Sequence, residues 1–135
     1  MTERSKLKRG ISELLAAAEP KVRGIEAEAA VALVGNPDWL IVDLRDARER
    51  AREGYIPGSF HCPRGMIEFW IDPESPYFKP KLGEAPNLLF HCAMGWRSTL
   101  AVNTVQEMGV HNAFHIKGGL NAWKEANGPV VRDER

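Results

Sequence analysis

Two continuous apolar runs of strand length, each ending in polar or charged residues, mark the middle of the chain. One is WLIVDLRD, which begins at Trp39, and the other is NLLFHC, which begins at Asn87. Their apolar residues do not alternate with polar ones, and this pattern is typical of strands buried on both faces of a parallel sheet. Shorter strands are predicted at the end of YIPGSFHC and at NAFHI, and a short extended piece is predicted at residues 21–24.

Segments with helical periodicity alternate with these strands, and most of them end at a glycine or before a proline. The predicted helices are residues 3–18, 26–35, 46–54, 63–72, 98–109 and 118–128. Residues 72–86 hold four prolines and are predicted to form a loop. Because strands and helices alternate, the sequence predicts an α/β fold: an open parallel sheet with right-handed crossovers and helices on both faces.

The first predicted helix is amphipathic. Its apolar residues recur at helical spacing: Leu7, Ile11, Leu14, Leu15 and Ala18. Two interpretations stay open at this point. This apolar stripe either packs back on the rest of its own chain or contacts a second subunit and forms a homo-oligomer. We therefore divide the chain into an N-terminal helical arm, residues 1–20, and a globular domain, residues 21–135.

Composition and charge narrow the classes of function. A chain of 135 residues fits one domain with a substantial core. Its 18 basic and 18 acidic residues cancel, so no overall field would attract nucleic acid or an anionic membrane. No apolar run is long enough to span a membrane, and the short stretch ISELLAAA carries Glu13, which disfavours a signal peptide. We expect a soluble cytoplasmic protein that binds neither nucleic acid nor membrane.

The two cysteines, Cys62 and Cys92, lie 30 positions apart. This spacing is not that of a small disulfide-rich protein, and no pair of cysteines has the spacing of a zinc site. The histidines show no ligand spacing either, so we expect neither a metal nor a cofactor. The chemistry of the chain is therefore sought in the cysteines themselves.

Cys92 directly follows a predicted buried strand and begins the loop CAMGWR. Ligands of parallel sheets bind at the carboxyl ends of the strands. If the next helix begins at Ser98, the amides of residues 93–97 converge on the sulfur and favour its thiolate form. Gly95 suits a turn that needs either a positive φ or a close backbone approach, and Arg97 supplies a positive charge suited to an oxyanion. The alternative is that Cys92 is an inert, buried, small apolar residue.

Five segments together resemble the rhodanese (thiosulfate sulfurtransferase) family, over about residues 21–130. They are IVDLRDARE, GYIPGS, CAMGWR, GWRSTLA and GGLNAW. The first resembles the family's Asp-x-Arg motif at a strand end, and the second resembles its Gly-His-Ile-Pro-Gly-Ala turn, with Tyr55 in place of the histidine. The resemblance implies a three-layer α/β/α fold with a five-stranded parallel sheet, in addition to the N-terminal helix.

The resemblance also implies an activity. Cys92 would attack the outer sulfur of a donor such as thiosulfate, release sulfite and carry the sulfur as a persulfide to an acceptor such as cyanide or a thiol. The residues that would form the substrate-binding cradle are Ala93, Met94, Gly95, Trp96 and Arg97. Asp43 and Arg45 match the Asp-x-Arg motif, and we interpret this charged pair as structural support. Gly118, Gly119 and Trp123 match the closing motif, for which packing is the simpler role.

Two other functions stay open. The domain could act as a protein-binding or persulfide-relay module that turns over small donors poorly and docks through its N-terminal helix. The same fold also supports phosphatases and oxyanion reductases, but in phosphatases five residues separate the cysteine from the arginine. Here four residues separate Cys92 from Arg97. The family's strand order places one strand between Cys62 and Cys92, about 9.5 Å across two strand spacings, so we expect no disulfide between them.

Overall fold

The five strands of the structure form one sheet in which all neighbours run parallel. A computed structural model describes residues 7–133. The strands are β1 (Gly24–Ile25), β2 (Trp39–Asp43), β3 (Phe60–His61), β4 (Asn87–His91) and β5 (Ala113–Ile116). Their order across the sheet is β1-β5-β4-β2-β3. β2 and β4 pair over their full length, from Trp39 opposite Asn87 to Asp43 opposite His91, so both strands end at the same level.

Seven α-helices lie within the described residues. They are α1 (Ile11–Ala18), α2 (Ala27–Val31), α3 (Ala47–Glu53), α4 (Ile67–Ile71), α5 (Pro80–Glu84), α6 (Trp96–Glu107) and α7 (Gly119–Glu125). Short 3₁₀ turns at Glu19–Lys21 and Arg64–Met66 complete the elements. The predicted α/β fold and its five-stranded parallel sheet are confirmed.

Two apolar clusters cover the two faces of the sheet. Because successive strand residues point to opposite faces, Leu88 and Phe90 of β4 join one cluster and Leu89 joins the other. The first cluster includes buried residues of α4, α5 and α6, and the second includes buried residues of α2 and α7. The structure therefore has three layers, with helices on both sides of a sheet whose central strands are buried on both faces.

The N-terminal helix is shorter than predicted. α1 begins at Ile11 because Gly10 has an extended backbone conformation, and residues 7–10 are not helical. The predicted residues 3–6 lie outside the described residues. α1 packs against α6 and buries Ala18, while a contact of this helix with a second subunit stays a prediction. Ile11 and Leu14 are exposed in this arrangement.

Other predicted boundaries also need correction. The proline-rich residues 72–86 are not only loop, because α5 begins at Pro80, and proline is well tolerated in the first turn of a helix. The helix predicted at 26–35 ends at Val31, and turns follow until Gly35. α6 begins at Trp96, two residues before the predicted Ser98. This last difference shortens the loop that carries Cys92.

Within residues 7–133, no helix combines the length and the apolar character that crossing a bilayer requires.

Candidate active site

The Cys92 thiol lies just after the carboxyl end of β4. β4 is flanked by β2 and β5 and is the central strand of the five, so Cys92 lies at the middle of the sheet. The residue is almost fully buried, with 1% of its surface exposed. In open α/β sheets the carboxyl ends of the strands are where ligands bind. Cys92 therefore has the position expected of a reactive group, while its sulfur is shielded from bulk water.

Gly95 turns the chain from Cys92 into α6. It has a φ of 109°, a left-handed conformation that favours glycine, and it precedes the first residue of the helix. In this conformation its backbone N–H donates a hydrogen bond to Cys92 Sγ over 3.2 Å. Among the described amides of the loop, this is the one that meets hydrogen-bond geometry to the sulfur. The convergence of the other amides of residues 93–97 stays a prediction.

The amino end of α7 holds the other side of the Cys92 loop. The backbone N–H groups of Leu120 and Asn121 donate to the carbonyl oxygens of Cys92 and Ala93, over 2.8 and 3.1 Å. Gly119 makes this approach possible, since a Cβ atom there would lie 2.6 Å from the Cys92 carbonyl oxygen. The GGLNAW segment thus contacts the loop directly through its first residues. Trp123 of the same segment is fully buried in the second apolar cluster.

Arg97 lies in the first turn of α6, and its guanidinium group contacts α3. Its two terminal nitrogens donate to the two carboxylate oxygens of Glu49, over 2.7 and 2.9 Å. These bonds raise the pKa of Arg97 and lower that of Glu49 to about 2. Glu49 also accepts from the backbone N–H of Asp46 and so closes the capping box of α3. Arg97 is therefore anchored at the site by a half-buried carboxylate.

Asp43 and Arg45 form a buried ion pair at the end of β2. The Arg45 Nε and Nη2 atoms donate to the two oxygens of Asp43 over 3.0 and 2.8 Å, and Arg50 adds a third bond of 2.8 Å. Burial raises the pKa of Asp43, but hydrogen bonds from Arg45 and the adjacent positive charges outweigh this and hold the pKa well below its usual range. Arg45 also donates to the Gly54 carbonyl, so the pair ties β2 to the end of α3.

Two polar side chains, those of Ser98 and His115, form a chain of contacts that begins at the sulfur of Cys92. The Ser98 hydroxyl of α6 lies 3.8 Å from Cys92 Sγ, and the same oxygen lies 3.2 Å from Nδ1 of His115 on β5. Ser98 is fully buried, and 8% of the His115 surface is exposed. Burial lowers the pKa of His115, and the positive charge of Lys117 lowers it further, against a smaller opposite effect of Glu19.

A cavity of about 520 Å³ opens beside the Cys92 loop. Loop residues line one side of it, and residues from the first 3₁₀ turn, β1 and β5 line the other. The lining includes Met94, Gly95, Trp96, Gly24, His115 and Lys117. Met94 and Trp96 are both more than half exposed, so the rim of the cavity on the loop side is apolar.

Within the described residues, neither His91 nor Cys62 forms a hydrogen bond with the thiol of Cys92. The His91 ring is fully buried, with Nε2 3.8 Å from the Asp43 carboxylate, and burial lowers its pKa. Cys62 follows β3, and β2 lies between β3 and β4, which is the strand order expected from the resemblance. Both cysteines are free. Burial raises the pKa of the Cys62 thiol to about 12.

Among residues 7–133, no three histidine, cysteine or carboxylate side chains form a cluster that would hold a metal ion.

The sequence did not reveal three residues that contact the site: Glu49, Ser98 and His115. The Asp46-to-Glu49 spacing is the signal of a capping box, but nothing local indicates that Glu49 also binds Arg97, 48 positions away. Once the start of α6 at Trp96 is known, Ser98 lies in the first turn of the helix, next to the Cys92 loop. His115 could have been considered because it lies at the end of the strand that neighbours β4.

Comparison with known proteins gives the family of the chain. The profile of the Rhodanese-like domain family matches residues 26–126. A thiosulfate sulfurtransferase/rhodanese-like domain-containing protein 3 from Mus musculus is 27% identical over 106 residues, which cover 75% of this chain and 68% of the mouse protein. A sulfurtransferase from Allochromatium vinosum is 26% identical over 102 residues, covering 76% of this chain and 87% of its own.

A solved structure is more similar to this chain. It is a protein of unknown function from Rhodopseudomonas palustris, described as a possible tyrosine phosphatase. It is 47% identical, covers 97% of this chain and 99% of its own, and superposes with a TM-score of 0.91. The family match spans β2 to β5, the Cys92 loop and the α7 segment that holds it, and it begins just after β1. The chain belongs to the rhodanese-like domain family.

Proposed function

We propose that this chain is a sulfurtransferase that moves a sulfane sulfur from a donor such as thiosulfate to a thiol or cyanide acceptor, through a persulfide on Cys92. The observation that carries the proposal is the hydrogen bond from the Gly95 amide to Cys92 Sγ, at the amino end of α6. An amide donor and the positive end of a helix both stabilise a negative sulfur, whether thiolate or persulfide.

The proposed reaction needs no redox partner. The Cys92 thiolate attacks the outer sulfur of thiosulfate, a sulfur–sulfur bond forms, and sulfite leaves with the electron pair of the bond that breaks. Cyanide or a thiolate then attacks the outer sulfur of the persulfide. The electron pair of the Cys92 persulfide bond returns to Cys92, so the thiolate is regenerated.

The site residues have distinct parts in this proposal. Cys92 is the nucleophile, and residues 93–97 form the cradle in which the transferred sulfur lies. Arg97 places a positive charge near an anionic donor, although its pairing with Glu49 offsets much of that charge. Asp43 and Arg45 stabilise the carboxyl end of β2 and do not contact the substrate.

Intact-mass analysis after incubation with thiosulfate tests the proposal. The wild-type protein is expected to gain the mass of one sulfur atom at Cys92 and to lose it again, as thiocyanate, when cyanide is added. Cys92→Ala should gain nothing, whereas Cys62→Ala, which removes the other buried thiol, should gain the sulfur like the wild type. Absence of a sulfur adduct on the wild type, or an adduct on Cys92→Ala, would refute the assignment.

A phosphatase is the second candidate, because the 47% identical protein from R. palustris is described as a possible tyrosine phosphatase. Two observations count against it. Four residues separate Cys92 from Arg97, so the loop that would surround a phosphate is one residue shorter than the loop typical of phosphatases. Both terminal nitrogens of Arg97 also donate to Glu49 rather than pointing at a phosphate in the loop.

Release of phosphate from an aromatic phosphate ester separates the two candidates. We expect no release that depends on Cys92. If the wild type hydrolyses the ester, Cys92→Ala does not, and thiosulfate leaves no adduct, the chain is a phosphatase and the sulfurtransferase proposal is wrong.

A further inference from the structure

Cys92, Ser98 and His115 form a line that leads from a buried sulfur to the surface. Cys92 Sγ lies 3.8 Å from Ser98 Oγ, which lies 3.2 Å from His115 Nδ1. Cys92 and Ser98 are at most 1% exposed, whereas His115 borders the cavity beside the loop. A buried thiol needs an acceptor for its proton, and these polar groups give that proton a path to the cavity.

The hydroxyl hydrogen of Ser98 is free to point at His115. Its other acceptor is the Gly95 carbonyl oxygen, at 3.2 Å. That oxygen already accepts the Thr99 backbone N–H over 3.0 Å and the Thr99 hydroxyl over 2.7 Å. A carbonyl oxygen has two lone pairs, and Thr99 occupies both. Ser98 can therefore accept from Cys92 and donate to Nδ1 of His115 at the same time.

His115 is placed to take up a proton and to pass it on. Its charged surroundings are Lys117, on the same strand, and Glu19, on the turn after α1, and the Lys117 amine pairs with Glu26 over 3.1 Å. Burial and Lys117 both favour the neutral ring, whose Nδ1 can accept. On the opposite side, Gly24 of β1 leaves room for the ring, since a Cβ there would lie 3.3 Å from Nε2.

We propose that Ser98 and His115 form a proton relay that deprotonates Cys92 before it attacks the sulfur donor. The S–H bond of Cys92 breaks as its proton passes to Ser98 Oγ, and the hydroxyl proton of Ser98 passes to Nδ1 of neutral His115. The products are a thiolate, an unchanged serine and an imidazolium, and the two charges face each other across Ser98 until the sulfur donor has reacted. The imidazolium then releases its Nε2 proton to water. His115 acts through Ser98 and is a positioning residue. This inference deepens the proposed sulfur transfer and rests on it for its role in turnover.

The test measures thiol reactivity directly, without sulfur transfer. Cys92 is alkylated with iodoacetamide in a Cys62→Ala background, and the rate is followed by intact mass from pH 5 to pH 10. His115→Asn keeps a polar partner for Ser98 but has no basic nitrogen. Its alkylation at pH 7 should be at least about 10-fold slower, because the Cys92 thiolate loses the imidazolium that pairs with it, and an adjacent opposite charge shifts a pKa by about 1 unit or more. The matched control, His111→Asn, alters an exposed histidine outside the cavity and should leave the rate unchanged.

The pH dependence distinguishes a relay from a structural role. At pH 10 an ordinary thiol ionises without help, so the His115→Asn rate should come within about 2-fold of the parent rate. Ser98→Ala should show the same profile, and combining it with His115→Asn should add no further loss. A defect of equal size at pH 7 and pH 10, or no defect at either, would overturn the relay.

Two further measurements distinguish failure of the relay from failure of the proposed function. Thermal unfolding checks that the variants are folded; His115→Gln replaces the Asn variant if that one is not, and Ser98→Ala decides if neither histidine variant folds. Thiosulfate loading of the parent protein is measured in parallel. If the parent takes up no sulfur but its alkylation depends on His115 as described, the proposed function fails and the relay stands. If sulfur is taken up and His115→Asn is alkylated like its parent, only the relay fails.

Discussion

Glu49 holds Arg97 by two hydrogen bonds of 2.7 and 2.9 Å, and the same carboxylate caps α3 through the backbone of Asp46. One side chain thus joins the start of α3, which follows β2, to the start of α6, which follows β4. Since β2 and β4 are neighbours in the sheet, this pair fixes the two helix starts relative to the Cys92 loop. The contribution of the Glu49–Arg97 pair to stability therefore depends on pH.

Replacing Glu49 with glutamine should destabilise the protein at neutral pH and not at low pH. Glutamine retains a capping partner for Asp46 but removes the charge that Arg97 binds. Because the folded-state pKa of Glu49 is lowered from 4.5 to about 2, its contribution is present above pH 4.5 and is lost as the pH falls toward 2. Urea denaturation should show a loss of about 0.5 to 1 kcal/mol at pH 7, the upper range for partly exposed pairs.

The matched control for this experiment is Glu68→Gln, which removes the carboxylate of Glu68 on α4 from its partly exposed pair with Arg64 in the preceding 3₁₀ turn. It alters the same charge without touching the Cys92 loop, so sulfur loading should be unchanged. If Glu49→Gln lowers the unfolding free energy equally at pH 7 and pH 2.5, the charge of Glu49 is not the source of its contribution.

Replacing Asp43 with asparagine should be far more damaging. Asp43 is fully buried and accepts bonds from Arg45 and Arg50, so the substitution leaves a buried guanidinium of Arg45 without a counter-charge. Loss of one partner of a buried ion pair costs about 3 to 5 kcal/mol. The unfolding free energy from urea denaturation measures this loss directly. Glu53→Gln, in an exposed pair with Arg52, is the control and should change stability little.

The positions of the central strands β2 and β4 could be predicted from the sequence, but the contacts at the site could not. Uninterrupted apolar runs such as NLLFH have few alternatives to a doubly buried strand, and the position of Cys92 at the sheet edge follows from the parallel arrangement. The start that the sequence predicts for α6 is two residues late, because the residue before the helix is Gly95 rather than a serine or aspartate cap. The Glu49 to Arg97 pair depends on how two helices meet across the sheet, which no local pattern records.

Replacing Gly119 with alanine should displace the Cys92 loop. The added Cβ would lie 2.6 Å from the Cys92 carbonyl oxygen and 2.7 Å from the Ala93 carbonyl carbon, so the backbone on one side must move. Thiosulfate loading should fall more than about 10-fold, because small displacements of reacting groups cost large factors in rate. The single-turnover rate of sulfur uptake, followed by intact mass, measures this effect.

Gly58 provides the control for the conformational part of that change. Its φ of 77° is also left-handed, but a Cβ at this position would meet no atom within 4 Å. Gly58→Ala therefore carries only the backbone cost, about 1 to 2 kcal/mol, without a clash. If both variants lose stability and only Gly119→Ala loses sulfur uptake, the close approach of α7 is responsible. Equal losses of uptake in both would contradict this explanation.

The two thiols should differ sharply in reactivity in the folded protein. Burial raises the pKa of Cys62 to about 12, and its side chain has no exposed surface, so its thiolate is scarce at pH 8. Alkylation proceeds through the thiolate. A folded sample treated with iodoacetamide at pH 8 should therefore gain one adduct, located by peptide mapping at Cys92. The same treatment in urea should give two adducts, since unfolding removes the burial that protects Cys62.

Loading with sulfur provides a second test of the difference in reactivity between the two thiols. If Cys92 is first loaded from thiosulfate, iodoacetamide should trap its persulfide as an adduct one sulfur heavier than the simple one, and Cys62 should stay unmodified. Cyanide added before the reagent should restore the lighter adduct, which shows that the extra mass was transferable sulfur. Modification of Cys62 in the folded protein at a rate comparable to Cys92 would mean that its burial is not maintained in solution, and β3 would then have to open on the timescale of labelling.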